Sequence, residues 1–161
     1  MTNEKLVNQI NSKIQQIEGF YHRLLLLVGP ANYGKTTILQ KLYKVNEASI
    51  INLNLELSRH LLEIPEAKRP YYLPLLFKDI LPRKSDLILL DNIEILFDTA
   101  LKQDPLRLLQ GLSRNRSIVA AWNGNIEDEH LTYATAEHHE YRRYPTRDLT
   151  YLNLTSSRSQ L

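Results

Sequence analysis

The sequence predicts an α/β fold in three layers, with helices on both faces of a mostly parallel five-stranded sheet, built as a single domain over residues 1–161. Three observations predict it. Apolar runs of strand length alternate along the chain with segments of helical period. The run Leu24-Leu25-Leu26-Leu27-Val28 leads directly into a glycine-bounded turn and then a helical pattern. The run Leu87-Ile88-Leu89-Leu90 is apolar enough to be covered on both faces, as parallel strands are.

The N-terminal segment, residues 1–18, carries Leu6, Ile10, Ile14 and Ile17 at helical spacing over residues 5–18. That is an amphipathic helix with one face for the core, ended by Gly19. Residues 21–28 form the first strand. Residues 35–44 form a helix with Ile38, Leu39 and Leu42 inward. Residues 49–55 alternate Ile51, Leu53 and Leu55 with Asn52 and Asn54, which reads as a half-exposed second strand. Residues 57–64 form a short helix stopped by Pro65, residues 68–70 a loop, and residues 73–81 a helix closed by Pro82. The third strand is 86–91. A helix over 101–112 is entered around Asp104-Pro105 and ends near Gly111. The fourth strand is 117–122, followed by Asn123-Gly124. Residues 124–140, acidic and then rich in histidine, give no readable period. Residues 149–154 alternate and form the fifth strand, and the polar tail 155–161 is expected to be flexible.

With 161 residues the chain has room for one domain with a real core. Its 43% hydrophobic and 24% charged content is that of a soluble globular protein. No apolar run approaches bilayer length, and the first residues lack a basic segment followed by an apolar one. There is no cysteine, hence no disulfide framework and no thiolate zinc site. The expectation is a cytoplasmic protein with no membrane association. A net charge of +2 is too small to argue for nucleic-acid binding by itself.

The turn reads Gly29-Pro30-Ala31-Asn32-Tyr33-Gly34-Lys35-Thr36. Two glycines, then Lys-Thr, after a strand and before a helix make a phosphate-binding loop. Chance alone gives the bare pattern in roughly one chain of this length in 200. The glycines at 29 and 34 are expected to adopt dihedrals that a β-carbon would obstruct. Residues 29–37, Thr37 included, are the expected nucleotide contacts, with backbone N–H groups of the turn facing phosphate oxygens at a helix N-terminus. Lys35 is expected to reach the β- and γ-phosphates and Thr36 to bind Mg²⁺. ATP and Mg²⁺ are the expected ligands.

In open α/β sheets ligands sit at the carboxyl ends of strands. Asp91 ends an apolar strand there, where an acid is needed to hold Mg²⁺ through its water shell. Hydrolysis also needs a group that orients the attacking water. The usual carboxylate directly after the metal-binding Asp is absent, because that residue is Asn92. Glu94 is the nearest candidate, and in an extended chain it points to the same side as residue 92. Glu94 as an ordinary turn residue is an equal alternative. Asn123 ends the neighbouring strand and is either a γ-phosphate or water contact or a turn former before Gly124. Asn52 or Asn54 can restrain the carboxylate from the second strand.

Two arginine pairs, Arg114 with Arg116 and Arg142 with Arg143, precede strands and are expected at the sheet edge opposite their own nucleotide. Arg142 or Arg143 can serve the site of a neighbouring subunit; the alternative is a basic surface for solvent or DNA phosphates. His130, His138 and His139 lack the spacing of a metal site. Tyr71, Tyr72 and Trp122 are expected to be packing residues.

The order of phosphate loop, strand ending Leu90-Asp91, strand ending in a polar residue and arginine before the last strand resembles the AAA+ core. Three stretches are similar, more specifically, to BrxF, the small P-loop proteins of BREX-type bacterial phage-defence systems. They are Leu90-Asp91-Asn92-Ile93-Glu94, the segment 104–116 (DPLRLLQGLSRNR) and Glu140-Tyr141-Arg142-Arg143-Tyr144-Pro145. The resemblance covers residues 24–149 and implies an ATP-binding, AAA+-like P-loop NTPase. It further implies a homo-oligomer formed on nucleotide binding, acting with other BREX defence proteins on DNA, directly or through them. Two departures stand out: Asn92 replaces the usual carboxylate, and the chain ends near the fifth strand without the helical lid. Slow hydrolysis, weak nucleotide affinity or dependence on a partner is then expected.

Overall fold

The computed structural model describes residues 3–155, and at its centre lies a sheet of five parallel strands. In chain order the elements are α1 (Asn3–Ile17), β1 (Leu24–Gly29), α2 (Lys35–Val45), β2 (Ser49–Asn52), α3 (Leu53–Leu61) and α4 (Arg69–Ile80). Then come β3 (Leu87–Asp91), α5 (Pro105–Leu112), β4 (Ser117–Asn123), β5 (Asn125–Glu127), β6 (His130–Tyr133), β7 (Arg142–Pro145) and β8 (Tyr151–Asn153). The main sheet runs β2-β3-β4-β1-β8, so β4 separates the strand that feeds the phosphate loop from the strand that ends in Asp91. The three-layer α/β class expected from the sequence is the one found.

Alternation along the strands explains the layers. Leu25 and Leu27 of β1, Leu89 of β3 and Val119 and Ala121 of β4 face one side, where α1 and α2 cover them. Leu24, Leu26 and Val28, with Ile88, Leu90, Ile118, Ala120 and Trp122, face the other, under α3, α4 and α5. Every residue of β1 and β3 is therefore buried, which is why those runs are apolar throughout. The α1 helix places Leu6, Val7, Ile10, Ile14 and Ile17 in the core, so its apolar face is spent on packing within the chain.

Register brings the polar strand ends together. Gly29 pairs with Asn123 and Asn52 with Asp91, so all four stand on the carboxyl edge of the sheet.

Several local expectations are corrected. β1 begins at Leu24, not residue 21; Tyr21 is 67% exposed. β2 ends at Asn52, because the Asn52 side chain accepts from Leu55 N and starts α3. The alternation expected to continue to residue 55 gives way to Leu53, Leu57 and Leu61, buried at i, i+4 and i+8. The segment 68–70, read as a loop, opens α4 instead; Pro70 sits in its first turn, where a missing N–H costs nothing. α5 starts only at Pro105, with Asp104 Oδ1 accepting from Arg107 N at 3.2 Å, and residues 99–101 form a separate 3-10 turn.

The stretch without a readable period holds most of a second, antiparallel sheet, β5-β6-β7. It grows from the carboxyl end of β4. Trp122 Nε1 donates to Thr132 O at 3.0 Å, and Phe97 stacks on Tyr133 with ring centroids 3.6 Å apart. A β-carbon at Gly124 would lie 1.9 Å from Thr132 O, so glycine is required for the second sheet to approach β4. The tail expectation, beyond Thr155, lies outside the described residues.

Candidate functional site

A cleft of about 420 Å³ opens at the carboxyl edge. Ala31, Asn32, Gly34, Lys35 and Thr36 line it from the phosphate loop, Asp91, Asn92 and Glu94 from the end of β3, and Ala121 and Asn123 from β4. The volume falls within the range of small-molecule sites. A hollow of similar volume near the ends of α4 and α5 has no carboxylate in its lining.

The loop owes its shape to two left-handed residues. Gly34 has φ 84° and forms the N-cap of α2, and Asn32 has φ 65°. Glycine at 34 is thus required by conformation, and asparagine is among the residues that tolerate this region best. Gly29 differs from expectation. Its φ is not positive, and a β-carbon there would meet Tyr33 and Leu154 at ordinary contact distances of 3.5 and 3.6 Å. It ends β1 without conformational need for glycine.

Lys35 is 6% exposed, and its ammonium donates to Gly29 O at 2.7 Å and Pro30 O at 2.6 Å. Thr36 Oγ1 donates to Asp91 Oδ2 at 2.7 Å, joining the first turn of α2 to the end of β3. Asp91 is 8% exposed, and its other oxygen accepts from Asn92 N at 3.0 Å. A hydroxyl and a carboxylate, both hard oxygen donors, therefore meet at one point of the cleft. This set fits Mg²⁺, which takes one or two carboxylates and completes its shell with water and phosphate oxygens. No group of three or more His, Asp or Glu side chains arranged to hold a metal occurs among the described residues.

Glu94 reaches the cleft by a different path from the extended one expected. Asn92 has φ 52°, which turns the chain, and Glu94 begins a 3-10 turn over Glu94–Phe97. Its carboxylate is held from two sides. Asn123 Nδ2 donates to Oε1, and Asn54 Nδ2 donates to Oε2 at 3.3 Å. Asn54 also accepts from Ile95 N at 2.8 Å through Oδ1, and its own N–H donates to Asn92 O at 2.8 Å. Of the two asparagines considered for this task, Asn54 touches the carboxylate, while Asn52 caps α3.

Not every expected residue lines the cleft. Thr37 is exposed beside it, Tyr33 packs towards the α1–α2 core, and Gly29 and Pro30 act through their carbonyls on Lys35. Arg142 and Arg143 also lie outside its lining, and their expected location is corrected. They belong to β7 of the second sheet, at the carboxyl end of β4 and not the opposite edge, because the chain doubles back through β5 and β6 first. Arg142 Nη2 donates to Gln103 O at 3.0 Å, while Arg143 is exposed. Arg114 and Arg116 do lie at the amino edge. The rings of His138 and His139 stack at 4.6 Å.

Tyr133 escaped sequence analysis. Burial pushes its phenol up to about 12, with Glu140 and then Glu94 adding to the shift. Burial also raises Tyr144, helped by its hydrogen bond to Asp104 Oδ1 at 2.9 Å. Both belong to strands of the unreadable stretch or its border, so no periodic signal marked them.

No protein-family model matches the chain, and no curated protein matches it. Among solved structures it is similar to Caenorhabditis elegans PCH-2, at 20% identity and TM-score 0.44, over 75% of this chain and 37% of that one. It is also similar to a katanin from a structure of katanin self-assembly, at 19% identity and TM-score 0.41, over 73% of this chain and 42% of that one. The chain thus spans less than half the length of either structure.

Proposed function

We propose that this chain is a Mg²⁺-dependent ATPase that works as a nucleotide-dependent homo-oligomer in bacterial anti-phage defence of the BREX type. The observation that carries the catalytic part is the convergence of Thr36, Asp91 and a doubly held Glu94 on the cleft beneath Lys35. The defence assignment and its partners, other BREX proteins and DNA, rest on the resemblance of residues 90–94, 104–116 and 140–145 alone.

In this reading the loop N–H groups and Lys35 hold the phosphates. Thr36 and Asp91 hold Mg²⁺, which neutralises phosphate charge when bound. Glu94 orients the water for in-line attack, and Asn123 contacts the γ-phosphate or that water. Arg143, exposed on β7, is better placed to reach another copy than Arg142, whose guanidinium is engaged by Gln103 O. An arginine arriving in trans stabilises charge on the transferred phosphoryl group.

The test is phosphate release from Mg²⁺·ATP by the parent and by Glu94→Gln, with light scattering in the presence and absence of a non-hydrolysable analogue. Turnover that depends on Glu94, with a nucleotide-dependent rise in mass, supports the proposal. Equal turnover in both proteins removes Glu94 from its role, and a constant monomer removes the trans arginine.

One observation favours a second reading, a nucleotide-gated binding module with little hydrolysis. Both Glu94 oxygens already accept amide hydrogen bonds, and Asn92 offers no carboxylate in its place. ATP binding without phosphate release, even at high protein concentration or with DNA, would establish that reading.

A further inference from the structure

The amino edge of the main sheet, opposite the cleft, gathers cations. Arg23 precedes β1, Arg83 and Lys84 precede β3, Arg114 and Arg116 precede β4, and Lys78 comes from the last turn of α4. Since β3, β4 and β1 are neighbours, these side chains share one stripe roughly 10 Å long, two strand spacings. Glu47 before β2 and Asp148 before β8 bound it on either side. Two exposed acids stand within it, Asp86 directly before β3 and Asp79 beside Lys78 at the end of α4, so the six cations outnumber them.

None of these cations is neutralised by a carboxylate. Ion pairs seen elsewhere in the described residues, such as Arg59 with Glu56 and His139 with Glu140, do not involve this edge. Uncharged partners hold three of the arginines instead. Arg116 Nη1 donates to Pro82 O at 2.6 Å, and the Arg114 guanidinium lies 4.7 Å over the Tyr21 ring. Arg23 Nη2 lies 3.5 Å from Arg114 O. Lys78, Arg83, Asn115 and Arg116 border a hollow of about 420 Å³ between the ends of α4 and α5. The negative end of the α4 dipole accounts for Lys78. The arginines stand beyond the helix ends and lie outside that requirement.

A guanidinium anchored on one carbonyl keeps its other N–H groups in a planar fork that matches phosphate oxygens. Cations strung along an edge, not converging on a point, match a repeating polyanion. The stripe projects no helix or strand that could enter a groove and read base edges. We infer that this amino edge is a second binding site, which takes the phosphate backbone of nucleic acid without regard to sequence. The inference deepens the proposed function and rests on the DNA contact suggested there.

The test is fluorescence anisotropy of the full chain with a short labelled duplex and the matching single strand, across a series of salt concentrations. Affinity should fall with salt at a log–log slope of about −3, the value for roughly three or four phosphates. The double variant Arg114→Glu, Arg116→Glu should lose at least about tenfold in affinity and flatten the slope by about 2. It should keep ATP binding, which shows that it folds. Replacing the same two residues by lysine should preserve most of the affinity. Lys35→Ala should abolish ATP binding and leave nucleic-acid binding intact, so failure of the ATPase reading is distinguishable from failure here. Three outcomes overturn the inference: no binding of either probe at the lowest salt, equal affinity in the double glutamate variant, or a fall in scattering mass in that variant without change in nucleic-acid affinity. The last would assign the edge to the acidic turn Glu127-Asp128-Glu129 of a second copy.

Discussion

The two halves of the cleft are made in different ways. The phosphate-loop half is one continuous stretch, shaped by the left-handed Asn32 and Gly34 and by the helix that follows. The half holding Asp91, Glu94, Asn54 and Asn123 is gathered from the ends of β3, β2 and β4. It exists only because the sheet order sets β3 between β2 and β4. A contiguous motif is lost only by changing it. An assembled one can be lost from any of three segments, and its parts can be separated by mutation.

The largest expected effect tests the contiguous half. Lys35→Ala should remove a charged donor to the phosphates and lower turnover by about 100- to 1000-fold, with nucleotide binding no longer detectable by calorimetry. Next comes the assembled half. Glu94→Gln should lower kcat by about 100-fold while leaving nucleotide affinity close to the parent's, so that binding and hydrolysis separate cleanly between the two halves. If affinity falls equally in both variants, the division does not hold.

Within the assembled half the two asparagines of neighbouring number should behave differently. Asn54→Ala removes the hold on Glu94 Oε2 and on Ile95 N. It should lower single-turnover rates by about tenfold, as expected when a positioning hydrogen bond worth roughly 1–1.5 kcal/mol is lost. Asn52→Ala removes only the cap of α3 and should cost about 1 kcal/mol in urea unfolding with turnover retained. Within the contiguous half, Gly34→Ala should cost about 1–2 kcal/mol from its left-handed φ. Gly29→Ala should stay within about 0.5 kcal/mol.

The smallest effect concerns Tyr133 beside Glu94. Its folded-state pKa is raised to about 12 from the ordinary 10. Between those values the unfolded chain releases a proton that the folded one keeps, so stability falls as pH rises through that window. Tyr133→Phe should remove part of this alkaline loss, read as melting temperature against pH, and leave behaviour near neutrality unchanged.

How much could be read from the chain follows the same division. The loop was legible as a unit, because its geometry is local: a strand, a tight turn, Lys35 and Thr36; the exceptions were Gly29, whose φ is not positive, and Tyr33 and Thr37, which lie outside the cleft lining. Asp91 was legible as the end of an apolar run. Glu94 was legible as a carboxylate of the cleft lining, but by the wrong geometry, since nothing in Asp91-Asn92-Ile93 announces a left-handed residue. Asn54 was one of two candidates because the alternation of 49–55 concealed a helix cap; a single asparagine side chain ended the strand that the pattern continued. The second sheet was not legible at all. Its strands are three or four residues long, too short for a period to show, and its apolar contacts are few: Leu131 in the core, Tyr133 stacked on Phe97 and Tyr144 edge-on to Trp122. That omission moved Arg142 and Arg143 to the wrong edge.

The glycine at 124 gives this arrangement a mechanical property. With Thr132 O only 1.9 Å from where its β-carbon would be, the joint between β4 and the second sheet admits no side chain. Asn123, which grips Glu94, is the residue before the joint, and Tyr133, which pairs with Arg142, is the residue after Thr132. The second sheet can therefore sit this close to the cleft only on a strand end that carries no side chain, and any other residue at 124 would have to displace either the strand end that holds Asn123 or the backbone of β6.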